Sequence, residues 1–349
     1  MMLLLFIALL SSAAFVALYE ERLGKEKWYI FIAFAIWMIL MCGFKPIGMD
    51  PDSEVYLEHF EDIDNPYLVI LVEFSYLIIS QFLKSLVNDV HIVFLFYAIL
   101  AVSLKFVAIK RICKPFLFLP LVVYIGDIFV LQDMIQIRAS VASGLFLLSI
   151  KPFSEGNKKQ GILLLLSALV FHYSSIVLFV VLFFSNKPIG IKGRWILASL
   201  VPIGIALFVL QANILTTLPI PYISNKIEAY QTIKDQGRFD EISLFNVFVW
   251  MRIFVFLYVL YFYDTISEKF PYLSLVLKIM GLSIISFFAL SSLPIFSERV
   301  NELFGIVEIL LFPCIYYTIQ PRNIAKLHIF VLAFFAMAYR FFYLELFKF

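Results

Sequence analysis

Arg138 and His172 stand at the ends of lipid-length apolar runs, where a charged or titratable side chain is costly enough to need a reason. From Phe129 an apolar run leads to Gln132-Asp133-Met134-Ile135-Gln136-Ile137-Arg138. A second run reaches Ile150, a basic turn follows, and a third run ends in Phe171-His172-Tyr173-Ser174-Ser175. The arginine's planar fork of donors suits phosphate oxygens and stays charged. An arginine that merely snorkels to the lipid interface is the alternative. Ala139, Ser140, Ala142, Ser143 and Gly144 follow it, small residues that let helices approach closely. A neutral imidazole at His172 can take a proton from a sugar hydroxyl or donate to a phosphate oxygen. A histidine that only closes a helix end is the plainer account.

Further candidates lie in the polar stretches. In the acidic loop from Asp50 to Asp62, the residues Asp52, Tyr56 and Phe60 recur at helical spacing and share one face. Asp52 falls near the helix start, where its charge is favourable. It is a candidate base, with Tyr56 as a sugar contact or as closure of a site. The stretch Thr217 to Ser243 carries Tyr222, Tyr230 and Arg238. Tyrosines among mixed polar groups suit carbohydrate, whose ring faces stack on aromatics; an amphipathic lid lying on the membrane is an equal reading. Arg299 and Glu302 are spaced to pair on one helix face, or to meet a phosphate and a glycan respectively. Arg252, beside Trp250, is either an interface anchor or a further phosphate contact.

These residues must be held by membrane helices. The 349 residues are 63% hydrophobic and 15% charged, against about 45–50% and about 25% in ordinary soluble domains. The expected fold is all-α: a polytopic integral membrane protein of about 11–12 transmembrane segments, each near the roughly 20 residues a span needs. Some of these segments are short or broken. Met1 to Tyr19 lacks a basic start and is expected to be a retained span rather than a leader. The hydrophilic stretches are too short for separate domains, so residues 1–349 are expected to form one transmembrane domain with outer loops at 45–66 and 212–243.

Orientation follows from the lysines and arginines. The clusters Arg22/Lys25/Lys27, Lys110/Arg111/Lys114, Lys151/Lys158/Lys159, Lys187/Lys192/Arg194 and Arg322/Lys326 are placed in the cytoplasm by the positive-inside tendency. Residues 67–86 then read as an interfacial or re-entrant helix on the outer side, because Glu73, Ser75, Gln81 and Lys84 dilute the run. Ile162 to Phe184 reads as a broken pair with His172 at its outward tip. Arg138, Arg238, Arg252 and Arg299 all fall on the outer side, more than orientation requires.

Several classes are unsupported. The net charge of +2 and the lack of a basic, aromatic-interleaved soluble region speak against nucleic acid. Cys42, Cys113 and Cys314 are far apart and form no metal-spaced set. No phosphate-binding loop, zinc-protease or nucleophile-elbow pattern occurs. Neither metal nor cofactor is expected.

The order of short patterns resembles the EpsG-type branch of the bacterial polysaccharide polymerases, related to the Wzy O-antigen polymerases. The patterns are Gly48-Met49-Asp50 with Asp52-x-x-x-Tyr56-x-x-x-Phe60; Met134-x-x-x-Arg138 with Ala142; Ala168-x-x-x-His172-x-Ser174; and Phe296-x-x-Arg299 before Phe304. Two positions depart from the family: Lys45-Pro46-Ile47 stands where an arginine is common, and Ala139 where glutamine is.

The resemblance implies a multi-pass protein of the bacterial cytoplasmic membrane with its active site facing the periplasm or cell exterior. It would move a growing glycan from undecaprenyl pyrophosphate to a lipid-linked repeat unit, with exopolysaccharide, capsule or O-antigen as product. Its partners would be undecaprenyl-pyrophosphate-linked oligosaccharides, membrane lipids and a chain-length regulator. The expected machinery is metal-independent: Arg138 and Arg299 at the pyrophosphate, Arg238 and Arg252 supporting them, His172 or Asp52 as base, and Tyr56, Tyr222, Tyr230 and Glu302 on the glycan. An O-antigen ligase, or a flippase or exporter of lipid-linked oligosaccharide, are the rival expectations; a transporter would usually carry internal repeats, and none is evident.

Overall fold

The computed structural model describes residues 2–65, 67–68, 72–114, 116–210 and 242–347, and among them the chain is helical throughout, with no strand. Among the described residues, six helical stretches are long and apolar enough to cross a membrane: Met2–Arg22, Glu26–Gly43, His91–Ile112, Ile191–Val209, Pro294–Tyr317 and Arg322–Tyr343. Shorter apolar helices run over Tyr173–Phe183, Val247–Tyr261 and Leu273–Ala289. A helix closes its backbone hydrogen bonds within itself, which is what lets so apolar a chain sit in lipid. Exposed Leu4, Phe15, Trp195, Phe254 and Tyr261 are the surface that lipid would cover in such a protein.

The chain divides into two compact units, Met1–Leu182 with Phe312–Phe349, and Phe183–Leu311. The first contains α1 (Met2–Tyr19), α2 (Glu26–Gly43), α3 (Ser53–Glu61), α4 (Phe74–Leu86), α5 (His91–Ile112), α6 (Phe118–Gly126), α7 (Ile137–Ser154) and α8 (Lys158–Phe171). A single π turn, Phe129–Asp133, precedes α7, and a 3-10 stretch, Tyr173–Phe183, follows α8. The small-residue run after Arg138 lies where α7 meets α5: a Cβ added at Gly144 would stand 3.0 Å from Leu104 Cβ. Asn157 caps α8 by accepting from the Gln160 amide at 3.2 Å.

Within the second unit are α9 (Ile191–Val209), α10 (Val247–Tyr261), α11 (Tyr263–Ser267), α12 (Leu273–Ala289), α13 (Pro294–Gly305) and α14 (Glu308–Leu311). Asn246 caps α10, accepting from the Phe248 and Val249 amides at 3.1 and 3.2 Å, and Pro294 opens α13, where its missing N–H costs nothing. Two buried serines tie α13 to α12: Ser283 Oγ donates to Asn301 O at 2.8 Å and Ser297 Oγ to Phe287 O at 2.7 Å. After a 3-10 turn, Phe312–Tyr317, the chain rejoins the first unit as α15 (Arg322–Ala338).

Candidate active site

Four chain segments bring the polar groups of the first unit together. Arg138 enters from the first turn of α7, and a buried network fixes that turn. Lys105 Nζ on α5 meets Asp133 Oδ1 at 3.1 Å, Ser140 Oγ at 2.7 Å and Ser140 O at 3.0 Å, while Tyr124 OH donates to Asp133 Oδ2 at 3.0 Å. Lys105 and Asp133 are wholly or almost wholly buried, so each charge needs the other. The first turn of α7, with Arg138 two residues before Ser140, is thereby tied to α5 and to Asp133.

His172 is presented by a break in the helix. The backbone leaves α8 at Phe171, becomes extended at His172 (φ −152°, ψ 113°) and resumes as the 3-10 stretch from Tyr173. Ser175 Oγ donates to the His172 carbonyl at 2.6 Å, satisfying a group the broken helix leaves over.

The start of α4 docks on that break. The Phe74 amide donates to Tyr173 OH at 3.1 Å, and Ser75 Oγ donates to Val170 O at 2.5 Å. Glu73 is the residue before the helix, extended, and its side chain does not cap α4. Its carboxylate instead reaches both predicted site residues of the neighbouring helices: Oε1 pairs with His172 Nδ1 at 2.9 Å, and Oε2 accepts from the Arg138 guanidinium. Glu73 is buried, and Arg138 and His172 are half-buried beside it.

Burial pushes the Glu73 carboxyl up, but the His172 hydrogen bond and the Arg138 charge pull it down further, to about 2. At neutral pH it is therefore a carboxylate, able only to accept. His172 Nδ1 must donate to it, which in the neutral ring leaves the lone pair on Nε2.

Tyrosines close around the arginine. The guanidinium carbon of Arg138 lies 5.6 Å from the Tyr56 ring centre and 5.3 Å from that of Tyr76, within cation–π range. Tyr56 is brought there by α3, whose end is held by α4: Lys84 Nζ donates to Phe60 O and Glu61 O, both at 2.8 Å. The hydroxyls of Tyr76 and Tyr97 are buried without a protein partner. Burial raises the Tyr56 phenol, with Arg138 partly offsetting it.

The Gly48-x-Asp50 element shapes the loop before α3. Gly48 has φ +79°, and its amide donates to Ser53 Oγ at 2.9 Å. Asp50 accepts from the Ser53 amide at 3.1 Å and pairs with buried Lys45 at 2.8 Å. Asp52 is half-buried at the residue preceding α3, one turn before Tyr56.

Arg138, His172 and Tyr56 thus come together, joined by Glu73, which sequence reasoning passed over as a mere dilution of an apolar run. The available signal was an acid in the middle of that run, three residues before a tyrosine. Arg299, Glu302 and Arg252 belong to the second unit. Arg299 is exposed on α13, and Glu302 half-buried one turn later. Arg252 is 1% exposed, its Nε donating to Glu308 Oε2 at 2.8 Å, and its guanidinium lies so close to Gly305 that a Cβ there would stand 3.1 Å from it. Its charge is answered inside the protein. Arg238, Tyr222 and Tyr230 lie outside the described residues.

Among the described residues no group of three or more His, Cys, Asp and Glu is arranged to hold a metal ion. In comparison with protein-family models, residues 27–348 match the EpsG family. No curated protein and no solved structure matches.

Proposed function

The chain belongs to the EpsG family of Wzy-like bacterial polysaccharide polymerases, which transfer lipid-linked glycan chains, and on that premise we propose that the cluster around Arg138 and His172 is where the transfer takes place. The observation that carries this reading is that a phosphate-suited guanidinium and an imidazole, from different helices, share one buried carboxylate.

The donor in this reading is a glycan on undecaprenyl pyrophosphate, and the acceptor is the terminal sugar of a lipid-linked repeat unit. The acceptor hydroxyl oxygen attacks the donor's anomeric carbon, the bond from that carbon to the pyrophosphate oxygen breaks, and the hydroxyl proton passes to His172 Nε2. The leaving pyrophosphate carries the electron pair away. Pyrophosphate is already a competent leaving group, and a fixed arginine in a partly desolvated site stabilises the charge that develops on it. Arg138 has that role here, and Tyr56, buried against the guanidinium, closes the site around it. Asp52, at the start of α3, is the second candidate for the base.

The sidedness follows from the lysine and arginine clusters, which put the cluster at the periplasmic or outer face of the cytoplasmic membrane. On the same reading the shorter apolar helices also lie within the bilayer, giving about 11–12 segments, and α4 lies along the outer surface. Its exposed Phe74, Ile78 and Phe82 support that placement, and a chain-length regulator would meet the protein on this side.

Purified protein, given a lipid-linked repeat unit in detergent or vesicles, is expected to yield glycans of several repeats together with released polyprenyl pyrophosphate. Transfer to a lipid A core acceptor alone would make it a ligase. Movement of intact substrate across the vesicle with no new glycosidic bond would overturn the enzymatic reading.

A further inference from the structure

The Glu73 carboxylate touches both Arg138 and His172, and nothing in the transfer step above gives it a task. Its side chain does not cap α4, and three hydrogen bonds tie that helix start to the His172 break. So firm a placement of an ionised, buried carboxylate is costly unless its two partners need it.

We infer that Glu73 is a positioning residue for His172: it holds the imidazole in the form protonated at Nδ1, with Nε2 ready to take the acceptor's proton. The inference rests on the transfer reading given above. Glu73 takes no proton in the cycle; it accepts from Nδ1–H before and after the step and stabilises the imidazolium that forms between them.

One consequence separates this role from a purely structural one. The carboxylate competes with the donor pyrophosphate for Arg138, so removing its charge frees the guanidinium while disabling the base. Glu73→Gln keeps the volume of the side chain. It is expected to lower kcat about 100-fold while the donor KM stays the same or falls. Glu73→Asp should recover part of the rate. In a His172→Ala background, Glu73→Gln should cost little more, because the two act as a unit.

The same proteins labelled with 15N-histidine give a second readout, with His172→Gln identifying its signal among the four histidines. In the wild type, Nδ1 should carry the proton; in Glu73→Ala, the population should move toward the Nε2-protonated form. Wild-type kcat in Glu73→Gln, a KM that rises as kcat falls, or an unchanged tautomer in Glu73→Ala would each overturn the inference. If His172→Ala and Arg138→Ala both turn over normally, the transfer reading itself falls and the inference with it. If those two are inactive while Glu73→Gln is normal, only the role of Glu73 is lost.

Discussion

A carboxylate between a guanidinium and an imidazole has a measurable signature in acid. Glu73 is held down at about 2 against an ordinary 4.5, so its contribution to stability is fully present above the unfolded value and disappears as pH falls through the folded one. The wild-type protein in detergent should therefore lose thermal stability between about pH 4.5 and about pH 2 by more than Glu73→Gln does; equal losses in both would mean that the bridge contributes nothing. At this scale the sequence revealed the cluster without the residue that joins it. Arg138, His172 and Tyr56 could be singled out because each is costly or well spaced within its own segment. Glu73 offered only the weaker signal of an acid within an apolar run, because its partners lie 65 and 99 residues away and an acid near the membrane interface has an ordinary explanation. Arg252 was legible as a charge in an apolar helix, but its answer, Glu308, is 56 residues on. Pairing across such distances is settled by packing, which no local pattern carries.

Helices and their close approaches position that cluster. The apolar runs announced most of the helices within a few residues: α1, α2, α5 and α7 begin and end close to where the hydropathy changes. The π turn before α7 and the 3-10 stretch after His172 were less legible, because both depend on how neighbouring helices satisfy the freed backbone groups. One contact tests the packing directly. Gly126 ends α6 against α15, and a Cβ placed there would lie 2.6 Å from the Ala333 carbonyl oxygen and 2.8 Å from its Cα. Backbone cannot yield as a side-chain tip can, so Gly126→Ala is expected to destabilise the protein by about 1–3 kcal/mol, read as a lower midpoint in detergent denaturation. An unchanged midpoint would mean that α6 and α15 do not meet this closely.

For the whole molecule, composition and the lysine and arginine clusters carried the class: an all-α, multi-pass membrane protein. The family match over residues 27–348 gives it a chemistry. What joins the two is a physical requirement. A lipid-linked donor keeps its polyprenyl tail in the bilayer, so the groups that receive its charged headgroup must be built from helix ends near the membrane surface, where an arginine can be both buried and paired. In the proposed reading the first unit builds such a place from α3, α4, α7 and the break after α8. The account stands on Arg138 as the group that receives the pyrophosphate. The most direct measurement is release of polyprenyl pyrophosphate from a purified lipid-linked repeat unit by wild type, Arg138→Ala and Arg138→Lys, each verified as folded. The account predicts a loss of at least about 100-fold in Arg138→Ala, with Lys recovering little because it lacks the planar fork; release at the wild-type rate by folded Arg138→Ala would contradict it.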